Sequence, residues 1–312
     1  MAVQNDVGGE GEGFISRKAE KKTKCQEFLE FLYDKENGTY LGRTCKSWLL
    51  ITIFYIIFYA CLAGFFAICL YVFVLTLDNK KPVYYGKGSI IGINPGLGYQ
   101  PWLSNDTEST LIMFDQNDRS TYLKYVISLN EFFQMHYDNL TDLVDCDDTN
   151  TKNWPTDETN PACKLNRNSS EYEACFKDDY GFAKGAPCIV LRLNRLIDWM
   201  PVDYPDGSVP DAIAGRYRKG DVAVDCEGEY YADKDNIGEM EYYPSSGFKK
   251  KFFPYRAYKR YHSPLVFVKF LNLPPGMLIM VECKAYAYNI IHERNDKLGM
   301  VHFEILREVH SS

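Results

Sequence analysis

The sequence predicts a mainly β protein: a single membrane-spanning helix near the N-terminus, then an antiparallel β-sandwich ectodomain with one helix, stapled by disulfides. Three observations carry this. Residues 48–77 read WLLITIFYIIFYACLAGFFAICLYVFVLTL, thirty positions without a charge. Downstream, apolar residues recur at period two in several short runs. Six of the ten cysteines (Cys146, Cys163, Cys175, Cys188, Cys226, Cys283) also lie after the apolar run, an even number of the kind that builds a disulfide framework in an oxidising compartment.

The apolar run exceeds the ~18 residues that mark a transmembrane helix, because a helix satisfies its own backbone across ~30 Å of hydrocarbon. No second such run exists, since later apolar stretches are broken by Lys269, Glu282 or Pro274. The segment ends without a small-residue cleavage site, so it reads as an uncleaved anchor. Flanking charge does not orient it: Lys35, Arg43 and Lys46 on one side balance Lys80, Lys81 and Lys87 on the other. The cysteines do, together with three N-x-S/T acceptors at Asn105, Asn139 and Asn168. They place residues 78–312 outside and 1–47 in the cytosol. The cytosolic tail is neutral by count, so the net charge of −7 belongs to the outer part and argues against nucleic acid as a partner.

In chain order, residues 1–13 hold four glycines and no periodicity. Residues 24–36 (KCQEFLEFLYDKE) place Cys25, Phe28 and Leu32 at helical spacing, predicting a short amphipathic helix stopped by Gly38. Residues 82–101, rich in Gly, Pro and Tyr, predict an extended loop that lifts the ectodomain off the membrane. Tyr122, Val126, Leu129, Phe133 and Tyr137 predict one amphipathic helix over 118–138. Strands follow at 189–193, 222–226, 265–273 and 277–285, and in the alternation of Val301, Phe303 and Ile305. Cys226 and Cys283 share the apolar faces of their strands, so a bridge between them would staple two sheets. Six cysteines allow fifteen pairings, and the pattern alone does not choose.

Catalytic machinery is not found. Asp145-Cys146-Asp147 and Asp233-Lys234-Asp235 read as acidic loops, and an EF-hand starting at Asp233 would put Ile237 and Pro244 where oxygen ligands belong. The glycines Gly86, Gly88 and Gly92 lack phosphate-loop spacing, and the five histidines lack metal spacing. No cofactor or metal is expected.

Tyr55 and Tyr59 raise a separate point. They stand four residues apart well inside the apolar run, where lipid offers no acceptor and an unpartnered hydroxyl costs a few kcal/mol. Ala60 and Gly64, also four apart, would let another backbone approach closely. A neighbouring protein helix is the expected partner.

The same residues carry a family resemblance. Phe31-Leu32-Tyr33-Asp34, Leu41-Gly42-Arg43-Thr44, Trp48 and the run from Phe54 through Ala63 resemble the beta subunit of the sodium/potassium-transporting ATPase. Outside the membrane, Tyr180-Gly181-Phe182, Gly185-Ala186-Pro187-Cys188-Ile189-Val190, Leu193-Asn194-Arg195 and Val281-Glu282-Cys283-Lys284-Ala285-Tyr286 match its pattern too. The resemblance implies an Ig-like sandwich and the pairs Cys146–Cys163, Cys175–Cys188 and Cys226–Cys283. It implies glycans at Asn105, Asn139 and Asn168, and a plasma-membrane type II topology. As partners it implies membrane lipid, a catalytic alpha subunit that exchanges sodium for potassium, and room for a small single-span regulatory subunit. The expected role is noncatalytic: stabilising and exporting alpha and tuning potassium affinity. Tyr55, Tyr59 and Gly64 are the expected membrane contacts, with Phe252, Phe253 and Tyr255 as the remnant of an external aromatic contact run. The alternatives are a hydrogen/potassium pump beta subunit and a type II adhesion or lectin-like receptor. A lumenal glycosyltransferase would need an α/β domain that this pattern does not offer.

Overall fold

The computed structural model describes residues 28–29, 31–35, 38–78, 82–90, 92–103, 110–138, 143–146, 162–167, 169–256 and 261–309. The acceptors Asn105, Asn139 and Asn168 all lie outside these residues, as do residues 24–27, 30 and 36 of the predicted 24–36 helix. The chain forms two compact units, Met1–Leu77 and Asp78–Ser312.

In the first unit Phe28, Leu29, Phe31 and Leu32 are helical, but the predicted helix gives way at Tyr33. Tyr33–Asp34 (β1) instead pairs with Thr39–Tyr40 (β2), which pairs in turn with Arg43–Thr44 (β3). The β2–β3 turn is Leu41-Gly42, both at positive φ (50° and 71°), the backbone a tight two-residue hairpin demands. Cross-strand Tyr33 and Tyr40 pack with ring centres 4.8 Å apart and planes tilted by 39°, a pair that favours the hairpin over continued helix. Helix α1, Cys45–Leu75, follows at once and starts three residues before the expected boundary. Thr44 sets that start: its hydroxyl caps the Ser47 N–H at 3.4 Å. Of the expected span, Thr76 and Leu77 lie past the helix end, where the Thr76 N–H and hydroxyl both return to Phe73 O.

The second unit is a sandwich of two four-stranded sheets. One has the order β4 (Leu97–Gln100), β6 (Cys188–Leu193), β9 (Leu265–Phe270), β8 (Met240–Tyr243), antiparallel throughout. The other runs β5 (Leu111–Phe114), β11 (Met300–Arg307), β10 (Leu278–Tyr286), β7 (Ala223–Gly228), with β5 parallel to β11. That parallel pair departs from the all-antiparallel expectation. The sheets meet through aromatic rings: Phe303 lies 5.0 Å from Tyr99 and 6.2 Å from Phe270. Helix α2, Arg119–Phe133, is capped by Asp118 and buries Tyr122, Tyr125, Val126, Leu129, Phe132 and Phe133. Its Phe133 ring sits 5.9 Å from Phe267 of β9, so the helix covers one face of the first sheet. Residues 134–138 continue it in π geometry.

Phe182, fully buried, is the hub of a second cluster. Its ring meets Phe114 edge-on at 5.2 Å and stacks on Tyr122 and Tyr125 at 5.7 and 5.8 Å. Gly181 makes this possible: it holds φ +80°, and a Cβ there would stand 2.1 Å from the Ala186 carbonyl oxygen.

The disulfides are Cys146–Cys163, Cys175–Cys188 and Cys226–Cys283. The last corrects the inter-sheet staple: Cys226 and Cys283 are direct cross-strand partners of β7 and β10 within one sheet. Sharing an apolar face located both thiols in the core, and it left open which sheet each strand joined. The predicted extended loop at 82–101 ends in strand β4, and Asp233 and Asp235, read as a loop, sit in a short helix, Tyr231–Asn236.

Candidate functional site: partner-contact surfaces

Helix α1 is apolar on every side and buries no residue within its own unit. At ~1.5 Å per residue its 31 residues run about 46 Å, enough to cross ~30 Å of hydrocarbon with both ends in the interfaces. At the first end the Trp48 indole donates to the Tyr40 carbonyl at 2.8 Å. Further along, Tyr55 and Tyr59 stack at 6.0 Å, and Phe54 and Phe58 at 6.2 Å. The two phenols therefore share one stripe, both rings half exposed. A Cβ added at Gly64 would meet no heavy atom within 4 Å, so that side of the helix stands open.

The aromatic residues among 252–255 of the second unit separate into different environments. Phe252 is only 4% exposed, so its ring fills the interior and offers no surface to a partner. Phe253 meets Trp199 edge-on at 5.5 Å, and Tyr255 lies 4.9 Å from Tyr261. Arg195 ties the cluster together: its guanidinium lies over both tyrosine rings and its Nε donates to Ser263 Oγ at 2.8 Å. The Tyr261 hydroxyl closes the loop by donating to Phe252 O at 2.7 Å. Tyr255, Trp199, Arg195, Tyr84, Tyr85 and Met200 help to line a cavity of about 550 Å³. Sequence reasoning missed Trp199 and Arg195 as parts of this surface. Trp199 had no signal beyond the break of strand alternation after Leu193, and Arg195 stood only within the Leu193-Asn194-Arg195 motif; neither says what the loop meets.

The motif Val281 to Tyr286 builds the β10 strand. Burial pulls the Lys284 ammonium down, but the Glu227 and Glu282 carboxylates, both 2.8 Å away, outweigh it and hold the lysine raised. Lys234 and Lys284 in turn hold Glu227 below the usual carboxylate range. These are structural pairs on a strand's polar face, and no group of three or more His, Cys, Asp or Glu among the described residues could hold a metal ion.

Comparison with known proteins decides the lineage. The family described as the sodium/potassium ATPase beta chain matches residues 18–303. The chain belongs to that family. Among curated relatives it is 44% identical to a probable sodium/potassium-transporting ATPase subunit beta-3 of Caenorhabditis briggsae, over 93% of this chain and 89% of the relative. It is 35% identical to subunit beta-2 of Drosophila melanogaster, over 94% of this chain and 95% of the relative. Subunit beta-1 of the same fly is 33% identical over 98% and 99%. The match begins before α1 and ends inside β11, so it spans most of both units of this beta-chain family member.

Proposed function

We propose that this chain is the noncatalytic beta subunit of a sodium/potassium-exchanging P-type ATPase, held in the plasma membrane as a single-pass type II protein. Residues 1–47 face the cytosol, and residues 78–312 form the extracellular domain, glycosylated at Asn105, Asn139 and Asn168. The family match over residues 18–303 carries this reading. The bare, apolar α1 supports it, because a lone span with stacked phenols and an open glycine side is suited to another transmembrane helix. Its partner is the catalytic alpha subunit, which it stabilises during folding, accompanies out of the endoplasmic reticulum and tunes for potassium. Tyr55, Tyr59 and Gly64 are the membrane contacts, and Phe253 and Tyr255 the external ones.

Purification of the chain from native membrane tests the pairing: an ATP-hydrolysing polytopic polypeptide is expected to co-elute, and a solitary chain would refute it. The tuning role is tested by Tyr55→Phe with Tyr59→Phe in the assembled pump. Interhelical hydrogen bonds average ~0.6 kcal/mol, so losing both shifts half-maximal potassium by up to about eightfold, with expression retained. Unchanged potassium activation would remove these hydroxyls from the mechanism.

A further inference from the structure

We propose that the cavity beside the outer strand β4, lined by Arg192, Lys297 and His302 with the rings of Tyr99 and Trp102, binds a carboxylate-bearing saccharide. The argument starts from Arg192 of β6. Its guanidinium lies over the Phe132 ring at 4.9 Å, and its Nε is buried without a hydrogen-bond partner among the described residues. No carboxylate pairs with it among the described residues. A half-buried cation without a counter-ion carries a desolvation cost that an arriving anion offsets.

The residue opposite Arg192 in the β4–β6 register is Gly98. Glycine weakens a strand and often marks close approach of a ligand. Here the backbone does not require it, since φ is ordinary and an added Cβ would meet nothing within 4 Å. The missing side chain leaves the space over Arg192 open. Lys297 is exposed and has no ion pair among the described residues. The His302 imidazole is held below its usual value by burial and by the Lys297 and Arg294 cations, with Glu304 and Glu282 opposing. Trp102 offers a ring 40% exposed, set 5.7 Å from Tyr99. The Trp102 backbone N–H donates to Gln100 Oε1 at 2.8 Å, which leaves the Gln100 amide NH₂ as a donor.

A planar guanidinium suits a carboxylate, an exposed indole suits the face of a pyranose, and amide and hydroxyl groups suit its hydroxyls. The cavity measures about 330 Å³, at the small end for ligand sites, so it takes one sugar ring and leaves the rest of a glycan outside. The inference is independent of the pump assignment.

The test uses the full-length chain in detergent with its own glycans desialylated, titrated with 3′-sialyllactose, lactose and inorganic phosphate. Sialyllactose is expected to bind and lactose not. Gly98→Phe, which fills the cavity without removing a charge, and Lys297→Ala are each expected to weaken binding about tenfold or more with unfolding midpoints unchanged. Repeating the titration before desialylation identifies the source: weaker apparent binding marks the chain's own glycans as occupant, equal binding a saccharide supplied from outside. Equal binding of lactose, equally tight binding of phosphate, or full binding by a folded Gly98→Phe chain would overturn the proposal.

Discussion

His262 is expected to make the second unit sensitive to acid. The residue is fully buried, its Nδ1 accepts the Leu165 N–H at 2.9 Å, and the Tyr137 ring packs 5.0 Å away. With Nδ1 an acceptor, the proton of the neutral ring sits on Nε2, which has no hydrogen-bond partner among the described residues. Burial, with the Lys164 cation second, lowers its pKa from 6.5 to about 4. A depressed histidine leaves stability intact above pH 6.5 and removes it as pH falls toward 4, because the unfolded chain takes up a proton that the native chain refuses. Between pH 7 and pH 5 the loss is about 2 kcal/mol, and the full 2.5-unit shift is worth about 3 kcal/mol. His262→Asn keeps an acceptor for Leu165 and does not titrate. It is expected to lower stability at pH 7 by about 1–3 kcal/mol through lost packing, and to flatten the pH 7-to-5 difference by about 2 kcal/mol. Urea unfolding of the full-length chain at both pH values measures this. A variant whose pH dependence equals that of the parent would refute the assignment.

Other expectations follow from loop length, packing and backbone geometry. Removing Cys226–Cys283 as a double alanine variant opens a 57-residue separation and should cost about 4 kcal/mol, against about 3 kcal/mol for Cys175–Cys188 or Cys146–Cys163, separated by 13 and 17. Urea midpoints under nonreducing conditions give the order, and a larger cost for either short loop would contradict it. Phe182→Ala empties the centre of the Phe114, Tyr122 and Tyr125 cluster and should destabilise by about 3–5 kcal/mol on the same assay. Gly181→Ala adds a methyl against the Ala186 carbonyl at positive φ and should cost more than about 1 kcal/mol; a neutral outcome would show that the turn can relax.

Period-two patterning made β6, β7, β9, β10 and β11 legible, because each buries one face or both in a run of at least six residues. Strands β4, β5 and β8 escaped, each only four residues long and therefore too short for a period to stand out. Register was beyond the pattern as well. Cys226 and Cys283 showed which way their side chains point, but only the pairing of Lys284 with Asp225 and of Ala285 with Val224 puts the two strands side by side. The site shows the same division. Tyr55 and Tyr59 were legible because a hydroxyl in an apolar run is a chemical anomaly visible in one dimension. Arg195 and Trp199 were not, since their meaning comes from Tyr255 and Phe253, more than fifty positions away.

That asymmetry bears on how a partner would be recognised in the membrane. Helix α1 has the same apolar character on every side, and in lipid an apolar face provides no hydrophobic drive toward another helix. Orientation must then come from the few groups that differ from a methylene surface. On this helix those include the phenols of Tyr55 and Tyr59 on one stripe, Tyr71 near the far end, the Thr52 hydroxyl, the missing side chain of Gly64 and the polar anchors at Thr44 and Trp48. A conservative Leu-for-Ile change elsewhere on α1 should therefore leave association intact, whereas Gly64→Leu, which keeps the helix apolar but fills its open side, should weaken it. Co-purification of each variant with the alpha partner distinguishes them, and equal recovery of both would show that the glycine side is not where the second helix rests.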